Sequence, residues 1–218
     1  PNKAETEKLK KAKKPVIQTA HLKALNSSHK FEVERARRMD FSNDGKFWAV
    51  HKEKPENAKS EVRGSDLVLY DLNKNQATTL GNVVEFGFNQ KSTHLAYVID
   101  AEDQVGNGVF LLDLSNMSTS ILDSDKAMYQ SLTWDDSQAK KENWPNKGNQ
   151  IAVLKGNKVD TLLQQDNSLI VFSDLNKTVR KQILTNTAAG FPSDFVISDK
   201  SRIGFSNDGL SISLGIKE

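Results

Sequence analysis

Apolar residues in this chain fall in short β-prone blocks separated by runs of Asn, Asp, Ser, Gly and Lys. The line Phe41-Ser42-Asn43-Asp44-Gly45 recurs unchanged at Phe205-Ser206-Asn207-Asp208-Gly209. Degenerate copies stand at Phe88-Asn89-Gln90-Lys91-Ser92 and Trp134-Asp135-Asp136-Ser137-Gln138. Each copy precedes an apolar run: Phe47–Val50, Leu95–Ile99, Ile151–Leu154 and Leu210–Ile216. Asn, Asp, Ser and Gly accept positive φ or cap their own backbone, so this order predicts a strand, a tight turn and a second strand. A second motif interleaves with it. Leu67–Leu72, Val109–Leu114 and Leu169–Leu175 are apolar runs ending in Asp-Leu, followed by a polar turn and a short closing run at Gln76–Leu80, Ser118–Leu122 and Arg180–Leu184. Four antiparallel strands therefore succeed one another before the unit begins again.

The spacing fixes a register. Phe41 to Phe88 and Leu25 to Leu72 are both 47 residues, and Phe88 to Trp134 is 46. Trp134 to Phe205 is 71, the excess including insertions at 139–149 and 157–167. A period near 45 with four strands per unit is the signature of a β-propeller, whose blades bury both sheet faces against their neighbours. The expected fold is thus all-β: three full blades at about 36–80, 83–122 and 129–184, with half blades at 16–35 and 190–218. The N-terminal half would supply a blade's outer strands, and the C-terminal half (Phe195–Phe205 and Leu210–Ile216) the inner ones. The halves could close a four-bladed ring, or the chain could be an open arc of a larger ring. The arc is preferred, because propellers run from four to eight blades and a gene rarely starts inside one.

Composition changes this picture in one respect. The formal charge of +2 hides a net of +7 over residues 1–38 and of −5 over 39–218. Residues 1–15, with five lysines in Lys8–Lys14, read as a basic polar leader or insertion. The lysine run has no interleaved aromatic for base stacking and ends at Pro15, so a solvated helix is expected rather than a nucleic-acid element. The absence of cysteine excludes disulfides, thiolate metal sites and a cysteine nucleophile from this sequence. No apolar run approaches the ~20 residues of a membrane-spanning helix.

Candidate chemistry is sparse. The four histidines, His21, His29, His51 and His94, have no metal-site spacing, and no Gly-x-Ser-x-Gly elbow occurs. Carboxylates cluster at Asp100–Asp103, at Asp123 and Asp125, and at Asp135–Asp136. The first departs from a calcium loop, with Gln104 at the third ligand position and Val105 at the glycine position. All three clusters read as turn chemistry. Gly106-Asn107-Gly108 opens a strand and lacks the third glycine of a nucleotide fingerprint. Ser42–Trp48 looks like the Asp-box of sialidase propellers, but Asp44 and Gly45 are adjacent where that box has a residue between them. No residue is nominated as catalytic, cofactor-binding or metal-ligating, and no cofactor is expected.

The repeated Ser-Asn-Asp-Gly turns are similar to the propeller repeats of TolB-like proteins and of prolyl-oligopeptidase and dipeptidyl-peptidase-like serine peptidases. Gly64–Leu72, Gly106–Leu114 and Leu122–Trp134 resemble the propeller region of large S9-type peptidases from bacteria of the Bacteroides kind. The resemblance covers most of residues 16–218. In that family the catalytic Ser, Asp and His lie on a C-terminal α/β-hydrolase domain with no counterpart in this sequence, so none is carried over. The resemblance implies a secreted or periplasmic serine peptidase in which this segment admits and aligns peptides. The alternatives are a TolB- or WD-like scaffold for a protein partner and, last, a free-standing enzyme. The expected partners are a peptide substrate or a protein and the hydrolase domain, with no nucleic acid and no membrane span.

Overall fold

The structure, a computed structural model, describes residues 3–12, 16–55, 58, 63–136, 147–157 and 165–218. It divides into two compact units, one comprising 1–60 with 64–83 and the other 61–63 with 84–218.

In the first unit, helix α1 (Lys3–Lys11) takes up most of the basic leader, with Glu5 in its first turn, where a negative charge suits the helix dipole. Strands β1 (Thr19–Lys23) and β2 (Lys30–Glu34) form a two-stranded antiparallel sheet. Alternation sorts its faces. Ala20, Leu22, Phe31 and Val33 pack inward, while Thr19, His21, Lys23, Lys30, Glu32 and Glu34 are exposed. Strands β3 (Ala36–Phe41), β4 (Phe47–Lys52), β5 (Ser65–Asp71) and the first half of β6 (Gln76–Phe88) make the first four-stranded blade. The blade's central strands β4 and β5 are almost wholly buried. Trp48, Val50, Val68 and Tyr70 take the apolar face of the β1–β2 hairpin, and Phe31 stacks on Tyr70 at 4.1 Å.

β6 is one strand of 13 residues where the sequence predicts the end of one blade and the start of the next. Asn82, at φ 56°, marks the hand-over. In the second unit the rest of β6, β7 (His94–Ile99), β8 (Gly108–Asp113) and β9 (Ser118–Ser124) complete the second blade. The third is β10 (Met128–Trp134), β11 (Ile151–Asn157), β12 (Asp166–Ser173) and β13 (Arg180–Leu184), in that order. Its core faces two ways, as propeller logic requires. Tyr129, Trp134, Ile151, Val153, Ile170 and Phe172 pack on Ala96, Val98, Val109 and Leu111 of the second blade. Ala152, Leu154 and Leu169 pack on Ile197, Ile203, Phe205 and Ile212 of the C-terminal segment.

That segment departs from expectation in detail. Instead of two continuous strands it has four two-residue pieces, β14 (Val196–Ile197), β15 (Gly204–Phe205), β16 (Ile212–Ser213) and β17 (Ile216–Lys217), with β14 paired to β17 and β15 to β16. The hairpin is interrupted because the partner sums differ: Ile197 meets Ile216, whereas Gly204 meets Ser213, so residues 198–203 are more numerous than those facing them. The β1–β2 hairpin and this segment are each a two-stranded arrangement among the described residues.

Candidate functional site: the inter-blade turns and the cleft beside them

The repeated five-residue line folds identically in both copies. Ser42 Oγ donates to Asp44 Oδ1 (2.7 Å) and accepts from Phe47 N–H (3.0 Å), while Lys46 N–H reaches Asp44 Oδ1 (3.2 Å). Ser206 Oγ likewise donates to Asp208 Oδ1 (2.5 Å) and accepts from Ser211 N–H (2.9 Å), with Leu210 N–H on Asp208 Oδ1 (3.0 Å). Gly45 and Gly209 close the turns at φ 69° and 71°, where a side chain is strained. These bonds hold Asp44 and Asp208 ionised below the usual carboxylate range; for Asp44 they outweigh the upward push of burial.

The degenerate copies keep the geometry with different atoms. Asn89 Oδ1 accepts the Thr93 and His94 N–H groups (2.9 and 3.0 Å), and Ser92 takes the glycine position at φ 56°. Asp135 Oδ1 accepts from Gly148 (2.8 Å) and Asn149 (3.2 Å), and Gly148 supplies the positive φ of 77°. The insertion expected at 139–149 lies between β10 and β11, and its last residues, Gly148 and Asn149, close the turn. Residues 139–146 and 158–164 of the two insertions lie outside the described residues.

Neighbouring turns in the second unit are tied in series. Asp136 Oδ2 accepts the Gln90 N–H (2.8 Å), and Asn89 Nδ2 donates to Gly148 O (3.3 Å). Lys147 Nζ donates to Ser206 O (2.7 Å) and Gln150 Nε2 to Gly209 O (3.0 Å). Asp136 is 1% exposed, and its Oδ1 has no hydrogen-bond partner among the described residues. Burial, reinforced by the charge of Asp135, pushes its carboxyl up to about 6 against the help of the Gln90 bond. Burial also raises Asp135 despite three backbone N–H bonds.

At the other end of β10 lies a satisfied acid. Asp123 accepts from Tyr129 Oη (2.7 Å), Lys155 Nζ (3.1 Å) and Lys181 Nζ (2.5 Å), and Lys155 also pairs with Asp125 (2.7 Å). Burial works to raise Asp123, but these donors leave its carboxyl below the ordinary range. Burial, then the hydrogen bond to Asp123 and the Asp123 and Asp125 charges, drives the Tyr129 phenol upward. Lys155 sits 5.6 Å from the Tyr129 ring centroid, a cation–π arrangement.

A third device joins blades through buried polar side chains. Asn107 Nδ2 donates to Ala127 O (2.9 Å) and Asn167 Nδ2 to Ile197 O (3.1 Å), each reaching the start of the next inner strand. Ser65 holds the matching place in the first blade and is too short; His51 Nε2 donates to Val83 O (2.8 Å) instead. Burial lowers the His51 pKa, which keeps the ring neutral. His21 pairs with Glu32 (3.0 Å), His29 bonds Tyr70 Oη (2.7 Å), and burial lowers His94 beside Thr93. Asp100 is held by Arg63 (3.2 Å) and Asn107 (2.8 Å). Among the described residues no three His, Asp or Glu side chains are grouped as metal ligands. Sequence reasoning missed the Asn107, Asn167 and His51 links; the recurrence of Asn or Ser at the start of each third strand was the available signal.

An open cleft of about 340 Å³ lies between the third blade and the C-terminal segment. Val171, Phe205 and Ile212 supply apolar surface, and Ser173, Gln182 and Ser211 supply polar groups. The side chains of those three have no protein partner among the described residues. Asn149 and Gln150 of the inter-blade turn form part of its wall.

Serial four-stranded blades joined by repeated turns define the chain as a β-propeller segment, an assignment that rests on its own sheets. Solved structures similar to it include the propeller domain of the Trilobed protease from Pyrococcus furiosus (16% identity, TM-score 0.46, covering 83% of this chain and 51% of that one). Others are TolB from Acinetobacter baumannii (16%, 0.47, 88% and 41%) and an acylaminoacyl peptidase from Pyrococcus horikoshii (15%, 0.43, 77% and 28%). The chain thus spans about half or less of the length of these structures. No protein-family model matches the sequence, and no curated protein does. No helix described is long and apolar enough to cross a membrane.

Proposed function

We propose that this chain is a non-catalytic propeller segment that holds an extended peptide, aligning or gating substrates for the C-terminal α/β-hydrolase domain of a secreted or periplasmic serine peptidase. The cleft carries this reading. An extended peptide presents donors and acceptors at regular intervals between side chains that need apolar contact. Ser173, Gln182 and Ser211 offer hydrogen-bonding groups without protein partners among the described residues, set beside Val171, Phe205 and Ile212. A volume of about 340 Å³ suits two or three residues, near the lower end for ligand sites. The S9-type resemblance of Gly64–Leu72, Gly106–Leu114 and Leu122–Trp134 supplies the peptidase context.

Calorimetric titration of the 218-residue chain with short extended peptides tests the reading. Binding is expected, weakened about 3- to 10-fold by Gln182→Ala or Ser211→Ala as one hydrogen bond is lost, with the peptides recovered intact. Peptides that fail to bind at millimolar concentration, or that bind both variants as well as the parent, would contradict it.

A further inference from the structure

The contact between the second and third blades is built differently at its two ends, and the turn end contains a buried acid that makes no ion pair among the described residues. Asp136 projects from the third-blade turn against the second blade, with one oxygen on the Gln90 N–H and the other buried and unbonded. The site has no slack. Gly148 packs beneath the carboxyl so closely that a Cβ there would lie 2.6 Å from Asp136 Oδ2 and 3.3 Å from Asn89 Nδ2. Among the described residues, the charged groups acting on the pair are Asp135 from the same turn, Lys91 from the second-blade turn and Lys147 from the segment leading into β11. Lys147 Nζ is already donated to Ser206 O, so it does not turn towards Asp136. An ionised carboxylate here leaves an acceptor oxygen dry beside a second carboxylate, whereas the neutral acid removes the repulsion.

We infer that this seam is a proton-operated latch: with Asp136 protonated the third-blade turn seats on Gln90 and the seam is tight, and with Asp136 ionised the buried charge loosens the seam and draws water in. The same turn carries Asn149 and Gln150 into the cleft wall, so the latch is placed to alter the proposed peptide site. The latch itself is independent of that reading, and its tests use no peptide.

The sign follows from linkage. A carboxyl raised in the folded state stabilises the fold fully below its unfolded value and ceases to do so as pH rises through its folded value, here from about 4 to about 6. The folded-to-unfolded ratio should therefore fall by up to about tenfold per pH unit in that window from this group alone. Asp136→Asn removes the titration and keeps the shape. Chemical denaturation between pH 4.5 and 7.5 should show the parent losing stability relative to D136N as the pH rises, and D136N the more stable near neutrality. Parallel profiles would overturn the latch. If D136N does not fold, carbon NMR of the parent's aspartate carboxyls decides: one resonance titrating near pH 6, with Gln90 amide exchange accelerating over the same range beyond the ordinary base-catalysed rise, supports it. All carboxyls titrating below pH 5 would refute it.

Discussion

The seam between the second and third blades holds an aspartate near each end of β10, Asp123 from β9 and Asp136 just beyond β10, and the burial of the two charges is solved in opposite ways. At the Tyr129 end, Asp123 is met by two lysines and a phenol and is held as an anion. At the Trp134 end, Asp136 is met by one backbone N–H, and its carboxyl is driven up to about 6. Both are carboxylates in one seam, so the difference lies in the donors. Near-complete burial is tolerable for an anion only when its lone pairs are filled. One seam can therefore be fixed at one end and responsive at the other.

Five substitutions test this contrast. Trp134 fills the seam beside the turn, 4% exposed, with its indole N–H on Gly87 O at 2.9 Å. Trp134→Ala should cost about 3–5 kcal/mol in denaturant unfolding, weakening both ends together. Asp123→Ala leaves Lys155, Lys181 and the Tyr129 hydroxyl without their acceptor and should cost about 2–3 kcal/mol at pH 7. That loss should shrink in acid, because a depressed carboxyl stabilises above its unfolded value and loses that effect as pH falls through the folded one. Asp136→Asn should have the opposite sign, a gain of about 1–2 kcal/mol at pH 7 that vanishes near pH 4. The smallest effect compares the two identical turns: Ser42 is 2% exposed and Ser206 is not fully buried. Ser42→Ala should cost about 1–1.5 kcal/mol and Ser206→Ala about 0.5 kcal/mol by thermal melting, since the buried Phe47 N–H, stripped of its acceptor, cannot turn to water whereas the exposed Ser211 N–H can.

Much of the architecture was legible because blades repeat local chemistry. The Ser-Asn-Asp-Gly line, the Asp-Leu strand ends and a spacing of 46–47 residues mark turn and strand positions. What escaped was set by atoms distant in the chain. Nothing local shows that Gly148, thirteen residues beyond Asp135, completes the third turn, since the intervening length has no periodic pattern. The split of β14 to β17 follows from unequal residue numbers across a hairpin whose apolar pattern reads as continuous. Asp123–Asp125 and Asp135–Asp136 look alike as acidic turns. Their opposite proton affinities depend on Lys155 and Lys181, 32 and 58 residues beyond Asp123, which fold back onto one cluster and leave the other unfilled. The cleft, formed by side chains from β12 to β16, had no sequence signature at all.

Amide chemical-shift mapping during peptide titration reads out whether a peptide docks between the third blade and the C-terminal segment. Saturable shifts are expected at Ser173, Gln182, Phe205 and Ser211, with the Asp123 cluster unmoved. Shifts confined to other blades, or none at saturating peptide, would contradict docking there.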